Sequence, residues 1–320
     1  MNFVVFDLEW NQCPDGKEKE NPRIPFEIIE IGAVKLNSDR EIIDSYQGYI
    51  KPQVYRWLHS RTKELLHMEY KDLRNGGRPF KEVLQEFFQW CGSECSFCTW
   101  GNQDLIELQR NMKFYGVLHW LPGPVFFYDI QKLFSICMED GRSRKSLEYA
   151  IDFLSLKKDM EFHRALADAR YAAEVLQMLE FPVVMEYFSI DTFQNPRSKK
   201  EEIHISYSQY EKYVSREFQD KDRMLKDRET SSVRCPKCHK MARKKIRWFA
   251  GNSKSYYSLS SCQEHGLLKG KIRVKKTDHD TYYAIKTLQL VDGEEAASVM
   301  EKRESLRKKR LTRRQKEKEA

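Results

Sequence analysis

The chain has 320 residues, 40% of them hydrophobic and 32% charged, and carries a formal charge of +8 from 56 Lys+Arg against 48 Asp+Glu. This balance excludes a disordered chain, no apolar run reaches the ~18 residues of a membrane span, and the length allows a catalytic domain plus a smaller second unit. Eight cysteines occur without a secretory signal, because Asp7 and Glu9 interrupt the first apolar run; thiols or metal ligands in a cytoplasmic protein are expected, not a disulfide framework.

Residues 3–6 (Phe-Val-Val-Phe) read as a short buried strand that runs into Asp7-Leu-Glu9. Strand side chains alternate, so Asp7 and Glu9 project to one side with α-carbons roughly 7 Å apart. Two like charges beside a buried strand need raised proton affinities or a cation between them, and an oxygen-only environment suits hard ions such as Mg²⁺. A solvated loop beginning after Phe6 is the alternative. Residues 25–34 and 41–50, separated by Asn37-Ser-Asp-Arg40, complete an antiparallel meander. Helical spacing covers 60–70 and 79–90, the second with Phe80, Val83, Leu84, Phe87 and Phe88 on one face. A strand at 96–100 precedes Gly101-Asn-Gln-Asp104, which opens a helix to about Tyr115. Residues 125–128 suggest another strand, and helices follow near 129–138 and 146–154.

The segment from Glu161 to Leu176 places Ala165, Ala172, Leu176 and Leu179 in a stripe of helical period. Asp168 falls about 60° from Ala165 on that helix and points toward the packed face, where a carboxylate must be paired or bound to metal. An ion pair with Arg164 or Arg170 is the competing account. The alanines at 165, 167, 169, 172 and 173 allow close approach to a sheet. His163 lies about 140° from Asp168 on a continuous helix, so it reaches the same site only from the loop or first turn. A histidine beside such a cluster can accept a proton from acidified water.

Together, Asp7-x-Glu9 ending the first strand, Asp104 about a hundred residues later and His163-x4-Asp168 resemble the DnaQ-like 3′–5′ exonucleases of the Asp-Glu-Asp-Asp-His class. Glu27-Ile-Ile-Glu-Ile-Gly-Ala33, Trp100-Gly-Asn-Gln-Asp104 and His163-Arg-Ala-Leu-Ala-Asp168-Ala-Arg look most like the KapD-like and Eri-1-like branch, many of whose members degrade RNA. The resemblance covers residues 1 to about 185. The sister class with tyrosine for histidine would need Tyr where this chain has Arg164. The resemblance implies an RNase H-like α/β domain with a mixed five-stranded sheet flanked by helices. It also implies two Mg²⁺ or Mn²⁺ ions: Asp7 bridges them, Glu9 and Asp168 complete the water-activating ion, and Asp104 serves the ion at the leaving oxygen. His163 is then the base, and Leu8, Trp10, Glu27 and Ile28 lie where relatives meet the terminal nucleotides.

Downstream, Cys235-x2-Cys238-x23-Cys262-x2-His265 is a strong signal for one structural Zn²⁺, with His239 or His279 as competitors for the fourth place. The hairpin between the knuckles resembles a zinc ribbon. Residues 1–190 hold 23 Lys+Arg against 29 Asp+Glu, a net of −6, and residues 191–320 hold 33 against 19, a net of +14. The acidic half suits cations and the basic half a polyanion. Lys244, Lys245, Arg247, Lys269, Lys271, Arg273, Lys275 and Lys276, interleaved with Trp248, Phe249, Tyr256 and Tyr257, point to nucleic acid.

The expected organisation is an exonuclease domain (1–190), a linker or surface helix (191–232), a small β-rich zinc-ribbon-like nucleic-acid-binding domain (233–291) and a basic helical or disordered tail (292–320). The expected activity is removal of nucleotides from RNA 3′ ends, with no membrane association. A zinc-ribbon adaptor with a silent nuclease-like domain and a DNA proofreader are the alternatives.

Overall fold

In the computed structural model, which describes residues 1–319, the alternation of β1 (Asn2–Gln12) sends Val4, Phe6 and Leu8 into one core and Phe3 and Val5 into another. A strand apolar on both sides must be covered on both sides, and helices supply the cover. β1 pairs antiparallel with β2 (Phe26–Leu36), which pairs antiparallel with β3 (Ile42–Tyr49), giving the expected meander. The chain continues through α1 (Ser60–Leu66), α2 (Tyr70–Gly76), α3 (Phe80–Cys91), β4 (Cys95–Thr99), α4 (Gln103–Phe114), β5 (Val125–Asp129), α5 (Ile130–Met138), α6 (Leu147–Phe153), α7 (Ala165–Met178), α8 (Phe181–Glu186) and β6 (Ser189–Asp191).

The sheet order is β3-β2-β1-β4-β5-β6, with β4 and β5 parallel to β1. It therefore has six strands, not five: β6 adds antiparallel to β5 and carries the first unit to Gln194. Three residues, Ser189-Ile-Asp191, are too short to announce a strand by pattern. Phe80, Val83, Leu84 and Phe87 of α3 and Leu105, Leu108 and Met112 of α4 fill the first core. Residues of α5, α6 and α7 fill the second.

One close approach fixes α7. A Cβ added to Gly32 of β2 would stand 2.0 Å from the backbone nitrogen of Leu166 and 2.1 Å from the carbonyl carbon of Ala165. Gly32 pairs with Asp7, so glycine here, with the buried Ala165 and Ala169, brings the start of α7 onto the sheet beside the acidic end of β1.

The second unit begins at Asn195. Its elements are β7 (Ile203–Ser206), β8 (Tyr210–Val214), α9 (Lys221–Lys226), α10 (Arg228–Ser231), β9 (Arg243–Ala250), β10 (Ser255–Cys262), β11 (Gly266–Lys276), β12 (Tyr282–Val291) and α11 (Gly293–Glu319). They form an antiparallel sheet ordered β7-β8-β12-β11-β10-β9. The β9–β10 hairpin between the cysteine knuckles is present as expected, but it is one part of a six-stranded sheet rather than a small ribbon. The stretch 191–232, expected as a linker or surface helix, supplies β7, β8, α9 and α10. Its strands pair with distant β12, a non-local register that local periodicity cannot reveal. Ala296 and Val299 of α11 pack on Ile246 and Leu259, and its basic remainder extends beyond that apolar start. Among the described residues no helix is long and apolar enough to cross a membrane.

Candidate active site and metal centres

Asp7, Glu9 and Asp168 each offer a carboxylate oxygen within 4.8 Å of the others. Asp7 and Glu9 share the side of β1 that faces α7, and the Gly32 contact brings Asp168 onto them. Neither arginine considered as a partner for Asp168 takes it: Arg170 pairs with Glu174 (3.6 Å) and Arg164 with Glu30 (3.5 Å). Asp168 Oδ2 accepts a hydrogen bond from the backbone N–H of His163 (3.1 Å), while Oδ1 is buried with no partner. A buried carboxylate oxygen without a donor, facing two further carboxylates, suits a hard divalent cation.

Asp104 arrives from the other side of the sheet. β4 pairs with β1 only as far as Val5, leaving an open edge along residues 6–9. The turn after β4 drops the start of α4 into that gap, and the buried Asp104 accepts from the backbone N–H of Leu8 (3.3 Å). The site thus lies midway along β1, which runs on to Gln12 instead of ending at the acids, and just past the carboxyl end of the neighbouring parallel strand β4. Asp104 stands outside the three-oxygen cluster, yet its charge is the strongest of those acting on Asp7.

Burial raises every proton affinity in the group, and crowding adds to it. Burial, then the charges of Asp104, Glu9, Asp168 and Glu30, hold Asp7 well above the ordinary carboxylate range. Burial and then Asp168 push Glu9 up to about 8; burial raises Asp104 to about 7 and Asp168 to about 6. Such a group loses its mutual repulsion by binding protons or cations.

His163 stands exposed at the rim in a left-handed conformation (φ 64°), held there by its backbone bond to Asp168 and followed directly by α7. It occupies the loop position that helical geometry requires. Beside it, Arg164 spans from Glu30 to the Tyr49 hydroxyl, to which Nη2 donates (2.5 Å). Glu30 is a fifth acid that sequence reasoning missed. It is fully buried, lies opposite Glu9 in the β1–β2 register, and also accepts from Gln47 Nε2 (2.8 Å). The available signal was a lone charge inside the apolar run Ile28-Ile-Glu-Ile31, which demands a partner.

The residues expected to meet substrate divide. Trp10 is half-buried, its ring 5.6 Å from that of Phe26. Leu8 and Ile28 are core residues with 2% and 0% exposure. Glu27 is buried as well: its carboxylate accepts the N–H groups of Gln53, Val54 and Tyr55 (2.6, 2.9 and 2.9 Å) and anchors a loop instead of facing solvent. Between Glu9 and Trp10 the pairing of β1 with β2 slips by one residue, and Trp10 packs beside the first core.

The family profile described as Exonuclease (RNase_T) matches residues 4–176, more than half of the chain. The chain belongs to this exonuclease family. Its Asp-Glu-Asp-Asp-His residues make it a DnaQ-like member. The "Probable 3′-5′ exonuclease KapD" of Bacillus subtilis (strain 168) is 31% identical over 114 residues, which is 35% of this chain and 54% of that protein. The chain thus spans about half the length of that curated relative. Among solved structures, the nuclease domain of 3′hExo, described as a DEDDh family member bound to rAMP, is similar at 23% identity and a TM-score of 0.48, over 55% of this chain and 90% of that one. Cell-death related nuclease 4 is similar at 19% identity and 0.46, over 59% and 66%.

The second unit gathers the other metal-ligand set. Cys235 Sγ lies 3.5 Å from His265 Nδ1, Cys262 Sγ lies 3.7 Å from the same nitrogen, and Cys238 and Cys262 sulfurs are 3.6 Å apart. All four donors fall within 4.8 Å of one another. Tetrahedral Zn²⁺ with ligand distances of about 2.0–2.3 Å needs donor separations near 3.5 Å, so the set fits that ion and closes its coordination sphere. Cys262 is lowered to about 6, first by the backbone N–H of Glu264, which favours the thiolate that zinc requires. Neither His239 nor His279 joins the cluster.

On the sheet beside it, Lys302 Nζ stands 4.0 Å and Lys271 Nζ 5.9 Å from the Tyr257 ring centroid, while Arg273 and Lys275 are exposed. Trp248, expected on this basic surface, turns inward and donates Nε1–H to the Ser231 carbonyl (2.9 Å). Lys269 pairs with Glu295 (3.6 Å).

Proposed function

We propose that this chain is a divalent-metal-dependent 3′–5′ exonuclease that removes nucleotides from RNA, with Asp7, Glu9, Asp104 and Asp168 holding two Mg²⁺ or Mn²⁺ ions. The observation that carries the proposal is the convergence of three carboxylates within 4.8 Å around the unpartnered Oδ1 of Asp168, with Asp104 at their edge. Cations bound there supply an acidified water and neutralise charge on the attacking and leaving oxygens of phosphodiester hydrolysis.

Each acid has a stated task. Asp7, the most heavily crowded, contributes oxygen donors at the centre of the group; Glu9 and Asp168 flank it; Asp104 is held toward it by the Leu8 amide. His163, on the rim and fixed through its backbone, takes the proton from the attacking water. Arg164 and Glu30 hold the His163–Asp168 segment against β2. Trp10 meets the terminal nucleotide, with Leu8 and Ile28 as the apolar floor behind it. In the second unit, Cys235, Cys238, Cys262 and His265 hold one structural Zn²⁺, and the exposed lysines and arginines around Tyr257 bind the body of the nucleic acid. Preference for RNA rests on the motif likeness to KapD-like and Eri-1-like proteins.

The test is incubation of the full chain with 5′-labelled and 3′-labelled RNA and DNA in Mg²⁺ or Mn²⁺. Stepwise shortening of 5′-labelled RNA, early release of the 3′ label and slower attack on DNA are expected, all lost with chelator. Internal cuts, or no metal-dependent loss of either polymer, would overturn the proposal.

A further inference from the structure

Residues 51–59 form neither helix nor strand, yet two buried polar side chains are devoted to holding them. Glu27, 1% exposed, accepts three successive backbone N–H groups of this loop. Asn11, fully buried, accepts from the His59 N–H (2.9 Å) and donates Nδ2–H to the Trp57 carbonyl (2.9 Å). Tyr55 and Leu58 are buried, and the Tyr55 hydroxyl donates to the Ile24 carbonyl (2.9 Å). Between these anchors Trp57 stands 69% exposed, more than any other large hydrophobic among the described residues. Its ring centroid is 5.8 Å from that of Tyr70, and Arg56 and Arg61 are exposed on either side in sequence. A tryptophan kept in solvent on a loop fixed from both ends is a preorganised contact surface.

The loop borders the acid cluster. Asn11 lies two residues past Glu9, roughly 7 Å along the strand. The helix that follows the loop, α1, is capped by His67, whose Nε2 is 3.7 Å from the carboxylate of Glu161, two residues before His163. The segment therefore runs from β1 just past the acids to the histidine-bearing rim. An exposed indole on a segment that also carries exposed Arg56 and Arg61 matches an unpaired nucleobase and its phosphates: a ring stacks on any base, and cations attract the backbone.

We propose that Trp57, backed by Tyr70, is a stacking platform for an unpaired base of the strand whose 3′ end occupies the acid cluster, an inference that rests on the exonuclease reading. The test uses the full chain and a short fluorescent single-stranded RNA in Ca²⁺, with a DNA arm of the same sequence and abasic sites placed one by one back from the 3′ end. In the unsubstituted protein, one abasic position weakens binding about tenfold. Trp57→Ala weakens binding of the intact strand by a similar factor and makes that position silent, while Trp57→Phe keeps most of the affinity and the discrimination. Binding within twofold of wild type in Trp57→Ala, or an abasic penalty unchanged in it, would overturn the platform. Absence of metal-dependent degradation by the wild-type chain would instead count against the exonuclease reading, and the binding arm would still report on Trp57 by itself.

Discussion

The acid cluster of the first unit and the thiol cluster of the second bring side chains to one point by opposite routes. Three thiols and one imidazole come from two knuckles, each pair three residues apart, and their donor separations already match a tetrahedral ion. The acids come from one strand and the starts of two helices spread over about 160 residues, and without cations burial and then their mutual charge raise their proton affinities. The four-ligand set of the second unit has the geometry of a closed structural clamp and the acid set that of an electrostatically stressed opening, the difference expected between a metal that holds a fold and one that does chemistry.

The largest effect that would sharpen this contrast is at Gly32. Gly32→Ala puts a methyl group into the backbone of α7 at 2.0 Å. Displacing the helix is expected to cost at least the ~1–3 kcal/mol of overpacking and to abolish nuclease activity, while zinc content stays the same. A variant that melts and cleaves like wild type would show that α7 does not depend on this contact. In the other unit, Cys235→Ser should lose stoichiometric zinc and lower the unfolding temperature of the second unit, because structural zinc contributes folding free energy directly. Retention of zinc by mass spectrometry would remove Cys235 from the ligand set.

A pH titration separates the two clusters more finely. In the unfolded chain carboxylates release protons near pH 4, whereas folded Glu9 holds its proton to about 8, Asp104 to about 7 and Asp168 to about 6. The folded state therefore binds more protons between about pH 4 and pH 8, and the metal-free first unit loses stability as pH rises through that window. Mn²⁺ should raise the unfolding temperature, by more at pH 8 than at pH 5. A metal effect independent of pH would break the link between proton and cation. The smallest effect is at the rim: His163→Ala should lower kcat by about 10²-fold or more and change the acid limb of its pH profile, without altering metal affinity.

Much of this site was legible because its elements are local. Asp7 and Glu9 follow from strand alternation, the orientation of Asp168 from the helical period, and the loop placement of His163 from the 140° that separates it from Asp168. Glu30 and Glu27 were not legible, because each depends on a register or a loop contact set by distant residues. Glu27 was read as a substrate contact, yet its carboxylate serves three loop amides. The same limit hid the second sheet: β7 and β8 look like a polar linker until paired with β12. Trp248 matched the basic-aromatic pattern by composition, but an indole N–H with the Ser231 carbonyl within reach turns inward.

The most direct test of the carboxylate cradle is calorimetric titration of Mn²⁺ into the zinc-loaded full chain at pH 7 in two buffers of different ionisation enthalpy, alongside Asp7→Asn. Wild type should bind Mn²⁺ with release of protons from the crowded carboxylates, and the variant should lose both the binding and the release. Equal Mn²⁺ binding by Asp7→Asn, or binding without proton release, would contradict the account.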